Sequence, residues 1–229
     1  MDRSLTASPY GPLLPRRFFD RDSRDVAADL LGQIVVSSLG GATVAVRLSE
    51  VEAYLGEGED PGSHSHRGLR PRNAVMFGPP GHLYVYFTYG MHFCANLVCR
   101  PEGRSGAVLL RAGQIVDGAP AARQRRPSSR SDLDLARGPA RLASALAMER
   151  SVNGIDVCAG QGEHRVWVCA GLPPSPDRIC SGPRVGVSGE GAIAPWRYWV
   201  LGDPTVSVYR PAKPRRRPRQ DAQASRPSP

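Results

Sequence analysis

The chain has 229 residues, 41% of them apolar, enough to build a hydrophobic core in one large domain or two small ones. Its net charge is +9, carried almost wholly by arginine, since Lys213 is the only lysine. No stretch nears the roughly 20 apolar residues that span a bilayer. No apolar run follows Arg3, Arg16 and Arg17 as a secretory signal requires.

A basic surface attracts polyanions, nucleic acid first and an anionic membrane second. Genomic base composition accounts for arginine over lysine, but not for the excess of base over acid. The five cysteines, Cys94, Cys99, Cys158, Cys169 and Cys180, are odd in number and form no CxxC pair. That argues against a disulfide framework or zinc ribbon and for reduced thiols in a cytoplasmic protein.

In chain order, residues 1–15 are rich in Pro and Ser and read as a flexible N-terminus. Asp20 to Leu31 has helical spacing, with Val26, Leu30 and Leu31 on one face and Gly32 as the stop. Ile34 to Val36 opens a strand. Residues 42–55 form another, with Val44, Val46 and Leu48 alternating. Residues 56–74 are a long polar loop carrying His64 and His66, and a loop of that length between apolar strands points to function. Residues 82–99 and 107–116 are rich in β-formers. Residues 119–134 read as a basic low-complexity insertion, and 138–148 as a short helix with Pro139 in its first turn. Strands are expected at 165–170 and 197–209, and residues 211–229 form an Arg/Pro-rich disordered tail. Few helices among many strands, without an internal repeat, predict a single α+β domain.

Several residues can carry chemistry. Glu50 and Glu52 are two apart, so in a strand they share a face with Tyr54. A buried carboxylate there needs partners and often marks a general acid or base; a solvated face would hold two ordinary glutamates. His64 and His66 with Asp60 suggest a metal site only weakly, because no HExxH or cysteine companion exists. Tyr84 and Tyr86 project to one face. Tyr89, before Gly90, belongs at a turn tip, where an aromatic is either a core plug or a wedge for a nucleic-acid duplex. Asn96 and Arg111 interrupt apolar runs and must find partners if buried, a carboxylate suiting Arg111. Phosphate loops, nucleophile elbows and dinucleotide fingerprints are absent.

Together, EAYLG at 52–56, EDPGSHS at 59–65, PRNAVMFGPPGHLYVYFTYGM at 71–91, Asn96 and VLLRAG at 108–113 resemble the alkyladenine (3-methyladenine) DNA glycosylase family. Weaker matches, such as RVGVSGEGA and PWRYWV, extend the resemblance over about residues 16–210. It implies a single glycosylase domain over 16–210, of α+β class, with a curved antiparallel sheet flanked by helices. It also implies a monomer without cofactor or metal that acts on double-stranded DNA. Its substrates would be alkylated purines such as 3-methyladenine and 7-methylguanine, with hypoxanthine in many members.

By the same resemblance Glu52 activates the attacking water and Arg111 helps to hold it. Tyr54, His64 and Tyr86 stack on the flipped base, and Asn96 guards the pocket floor against the amine of normal guanine. Tyr89 intercalates into the duplex, with Met91 beside it. The single lysine lies in the tail, so no Schiff-base amine is placed among the motifs and water is the expected nucleophile. Two alternatives stay open at this point: a lesion- or nucleic-acid-binding module of the same fold without chemistry, and a metal-dependent hydrolase. Arg70 departs from the small polar residue common before the PRN motif. The tail carries five arginines and Lys213 against Asp221, and adds either salt-sensitive DNA binding or only a solvated extension.

Overall fold

The computed structural model describes residues 8–88 and 90–212. A helical turn α1 (Arg16–Phe19) and helix α2 (Ser23–Leu30) precede strands β1 (Ile34–Ser37) and β2 (Val44–Tyr54). A 3₁₀ segment, Pro71–Phe77, leads to the hairpin of β3 (Leu83–Thr88) and β4 (His92–Val98). After β5 (Ala107–Asp117) come α3 (Ala119–Arg125), α4 (Pro139–Ala145), β6 (Val166–Cys169), β7 (Ile179–Gly182) and β8 (Arg197–Val200). The strands pair antiparallel in the order β3-β4-β5-β2-β1-β6. β8, itself paired with β7, takes the edge of β2 beyond the point where β1 stops. The result is one open antiparallel sheet with helices against it, the α+β domain expected from the sequence.

One irregularity in β2 decides where the site can be. Up to Leu48 the even-numbered residues Val44, Val46 and Leu48 face the main core; beyond it the core residues are Val51 and Ala53. The parity changes because the β2–β5 register shifts at Leu48/Glu50, leaving Ser49 as an extra residue opposite Gly113 and Ala112. A bulge of this kind turns every later side chain to the other face. Without it Glu50, Glu52 and Tyr54 would project into the apolar core. Gly113 permits the close crossing, since a Cβ there would lie 2.3 Å from the Arg47 carbonyl oxygen.

The same alternation runs through the neighbouring strands. Leu83 and Val85, Ala95 and Leu97, and Val108 and Leu110 face the main core, where Leu30 of α2 and Leu142 of α4 cover them. The opposite face carries Tyr84, Tyr86, Asn96 and Arg111, with a smaller apolar cluster of Met76, Tyr84, Val98 and Ala107 beneath the long loop. Apolar burial on one face thus holds the sheet rigid and leaves the other for polar groups.

Several boundaries differ from the sequence expectations. The helix expected at Asp20–Leu31 is shorter, Ser23–Leu30, because the Asp22 carboxylate accepts from the Arg24 N–H at 2.9 Å and caps its start; the turn α1 is separate and precedes it. Residues 119–134 are not a low-complexity insertion. Their first part, Ala119–Arg125, forms α3, whose Ala122 is buried and whose Arg125 donates to the carbonyls of Leu39 and Ala145 at 2.6 and 2.9 Å, and Asp132–Asp134 forms a 3₁₀ turn. β8 ends at Val200, since Gly202 (φ +74°) and Pro204 turn the chain, so 201–209 is not strand. β7 was not expected at all. Residues 8–15, read as flexible, lie along β6: Leu14 N–H donates to Val168 O at 2.9 Å, and Ala170 N–H to Pro12 O at 2.8 Å. The tail lies outside the described residues from Lys213 onward. Among the described residues no helix is long and apolar enough to cross a membrane.

Candidate active site

The site is built on β2. Glu50 and Glu52 are both fully buried on the face that the bulge turns away from the core. Such carboxylates must be partnered, and they are. Arg111, opposite them on β5, bridges the two: its Nε donates to Glu50 Oε1 at 2.9 Å, and its Nη1 pairs with Glu52 Oε2 at 3.2 Å. Burial alone would lower the Arg111 pKa, but Glu52 and Glu50 outweigh it and raise the guanidinium above its ordinary value.

Glu50 is saturated. Arg197 Nε donates to it at 2.6 Å, the Ser207 N–H at 2.7 Å and the Ser207 hydroxyl at 3.0 Å. Burial favours the neutral acid, yet the two arginines and these hydrogen bonds prevail and hold the Glu50 pKa below its ordinary value. Glu52 is less fully occupied. Tyr54 Oη donates to Oε2 at 2.9 Å, and the Val185 N–H donates to Oε1 at 2.6 Å. With the Arg111 ion pair on Oε2, Glu52 has two partners on Oε2 and one on Oε1, which leaves an Oε1 lone pair for a further donor. Burial and the Glu52 charge push the Tyr54 phenol well above its usual pKa, so it stays a donor.

A cleft of 520 Å³ lies over this network, lined by Tyr54, His64, Tyr86, Asn96, Arg111 and Val185 among others. Glu52 sits one layer behind the lining, and Tyr54, Arg111 and Val185 each reach both the cleft and its carboxylate. The volume suits a single purine and the walls are aromatic. His64 stands edge-on to Tyr86 at 4.6 Å between ring centroids and shares a 3.1 Å hydrogen bond with the Tyr84 hydroxyl. Desolvation, then the nearby Arg72 charge, lowers the His64 pKa and favours the neutral ring. Asn96 donates to the Tyr84 carbonyl at 3.1 Å, which fixes its amide at the wall.

The long loop that delivers His64 is clamped rather than loose. Arg100 pairs with Glu59 at 2.7 Å and Asp22 at 2.8 Å, and Asn73 donates to the carbonyls of His64 and Gly68 at 2.9 and 3.1 Å. Asp60 commits both carboxylate oxygens to Arg184, so it is not free to join His64 and His66 around a metal ion. Among the described residues no cluster of three His, Cys, Asp or Glu side chains has metal-binding geometry.

Of the residues singled out in sequence, Glu52, Arg111, Tyr54, His64, Tyr86 and Asn96 come together at this cleft. Met91 does not line it. Met91 lies at the β3–β4 hairpin tip, 69% exposed, where Gly90 adopts φ +68°. Tyr89 lies outside the described residues. Arg184, Val185, Arg197 and Ser207 were given no role from the sequence. Arg184 and Val185 fall in RVGVSGEGA and Arg197 in PWRYWV, so position within a matching segment was their only signal.

Comparison with known proteins accords with this geometry. A family model described as methylpurine-DNA glycosylase matches residues 17–204. Similar chains include three named "Putative 3-methyladenine DNA glycosylase". The one from Streptomyces avermitilis is 54% identical over 213 residues, covering 93% of this chain and 99% of its own. The one from Leifsonia xyli subsp. xyli is 47% identical, covering 85% and 92% respectively, and that from Methanocella arvoryzae 44%, covering 87% and 98%. The chain therefore belongs to the methylpurine-DNA glycosylase family and is a DNA glycosylase, a hydrolase of N-glycosyl bonds.

Proposed function

We propose that this glycosylase flips alkylated purines, 3-methyladenine first among them, out of duplex DNA and hydrolyses their glycosidic bond with a water activated by Glu52. The observation that carries this reading is the carboxylate of Glu52, fully buried, held by two hydrogen bonds and the Arg111 ion pair and placed directly behind an aromatic cleft of purine size.

A base within the duplex hides its glycosidic bond, so it must be extruded, against a few kcal/mol of lost stacking and pairing. Stacking against Tyr54, His64 and Tyr86 offsets part of this, aromatic stacking being worth roughly 1–3 kcal/mol per base. An alkylated purine is cationic, which favours an electron-rich aromatic cage and makes the base a ready leaving group. As the bond to C1′ breaks, the sugar gains positive charge, and Glu52 stabilises it while taking a proton from the water. Water oxygen bonds to C1′ and the purine departs with the bonding electrons. Hypoxanthine, a neutral lesion, leaves less readily and is expected to be a slower substrate. Asn96 at the cleft wall is proposed to reject bases bearing the exocyclic amine of guanine. Tyr89, with Met91 beside it, is proposed to fill the gap in the duplex.

Strand cleavage is not part of the proposed reaction, because a Schiff base needs an amine and the one lysine is Lys213. The experiment is to incubate the protein, in chelator, with duplex DNA carrying alkylated purines. The expected products are free base and abasic sites in strands that break only on later alkali treatment. Direct strand breakage would overturn the water mechanism, and lesion binding without base release would favour a non-catalytic binding module.

A further inference from the structure

Two residues without a role in the proposed reaction are tied to the segments that carry Glu52, Tyr54, His64 and Val185. Arg184 and Asp60 are both fully buried and form a two-point ion pair at 2.6 and 2.7 Å. A buried ion pair of this kind seldom stabilises a fold better than apolar side chains of the same volume would. Its distinctive property is directional: the guanidinium fork fixes several acceptors at once.

The acceptors here lie in the separate segments that carry cleft residues. Arg184 Nη1 also donates to the carbonyl of Ala53, the residue between Glu52 and Tyr54, at 3.0 Å. Its Nη2 reaches the Gly191 carbonyl at 3.4 Å, at the far end of the loop that carries Val185. Asp60 in turn accepts from the N–H groups of Leu55 and Gly62 at 3.1 and 2.8 Å, and its carbonyl accepts from Ser63 at 2.9 Å, which sets the turn leading into His64. The guanidinium is stacked between the rings of Tyr54 at 4.5 Å and Trp196 at 4.8 Å. Gly62 closes on it so tightly that a Cβ there would lie 2.8 Å from Nη2. The residue after Arg184 is Val185, whose N–H donates to Glu52 at 2.6 Å.

We infer that the Asp60–Arg184 pair is the positioning device of the reaction, setting the Val185 N–H on Glu52 and the His64 wall in one geometry. The inference rests on Glu52 being the acting carboxylate. Arg184 and Asp60 touch neither base nor water; they act through Val185, Tyr54 and the His64 turn. Misplacing a reacting group by about 1 Å slows a reaction by about a hundredfold, so their effect belongs in the chemical step rather than in DNA affinity.

The test uses the full chain and three readouts: thermal melting, affinity for duplex containing a stable abasic analogue, and single-turnover base release. The double variant Asp60→Asn/Arg184→Met leaves no unpaired charge at these two positions and is expected to fold. Its abasic-duplex affinity should stay within about threefold of wild type, while single-turnover release falls by about thirtyfold or more. Val185→Pro removes the N–H donor and should slow release comparably. Adding it to the double variant should slow release little further, because coupled residues are not additive. A folded double variant releasing base at the wild-type rate would overturn the inference, as would losses that multiply independently. Arg184→Lys keeps the charge without the fork and covers the case of a misfolded double variant; slow release is expected of it, and wild-type release would overturn the role. Glu52→Gln is measured alongside. An active Glu52→Gln would remove the reading beneath the inference, whereas an inactive one beside fully active pair variants would remove the inference alone.

Discussion

Arg111 on β5 and Glu52 on β2 face each other at 3.2 Å, both buried, with Arg111 Nε held at the same time by Glu50. One guanidinium therefore links the proposed base to a second carboxylate that is itself saturated with donors. Removing Arg111 leaves Glu52 without its cation, and removing Glu50 takes a counter-charge from both Arg111 and Arg197.

Glu50→Gln should accordingly destabilise the protein by about 3–5 kcal/mol near neutral pH, because Arg111 and Arg197 lose their shared counter-charge. The effect should be pH-dependent. The folded-state pKa of Glu50 lies below its ordinary value of 4.5, so the stability it contributes is complete above that pH and is lost as pH falls through the depressed value. Denaturant unfolding at pH 7 and pH 3 should show wild type well ahead of Glu50→Gln at pH 7 and the gap narrowing in acid. An equal gap at both pH values would contradict the assignment.

His64→Ala should lower kcat/KM on alkylated duplex by about 5- to 150-fold, the equivalent of one stacking interaction of roughly 1–3 kcal/mol. Because desolvation and Arg72 lower the His64 pKa, the ring should be mostly neutral at pH 6.5, where an ordinary histidine is half charged. An NMR titration of the His64 ring checks this, and a midpoint at or above 6.5 would contradict it.

Asn96→Ala should raise the release of guanine and 7-methylguanine relative to 3-methyladenine, since the amide fixed on Tyr84 O no longer crowds the exocyclic amine. Product ratios from methylated DNA measure it, and an unchanged ratio would remove Asn96 from base selection.

Deleting residues 213–229 takes away five arginines and Lys213. If the tail meets phosphates, the slope of log affinity against log salt should flatten by about 0.9 for every phosphate that the tail neutralises in the full chain, with base selectivity unchanged. An unaltered slope would make the tail a solvated extension, and altered selectivity would make it part of the site.

Much of this was legible in the sequence, for reasons that can be named. The two-residue spacing of Glu50, Glu52 and Tyr54 placed them on one face, and that of Tyr84 and Tyr86 did the same. The need of Arg111 for a carboxylate followed from its apolar setting. The bulge at Ser49 was not legible: alternation from Val44 to Leu48, extended, puts Glu52 in the core, and only pairing with β5 shows the change of parity. Arg184 and Arg197 were hidden because they contact residues more than a hundred positions away, Asp60 and Glu50. Residues 119–134 misled because their Arg, Pro and Ser content resembles a linker, whereas Arg125 uses its charge inside the fold on backbone carbonyls.

The most direct measurement of the central claim is single-turnover base release from alkylated duplex by wild type and Glu52→Gln, with binding of the same duplex measured in parallel. The expected result is unchanged binding with release at least about a hundredfold slower, the usual scale for loss of a general base. Release by Glu52→Gln at the wild-type rate would contradict the assignment of Glu52 as the water-activating group.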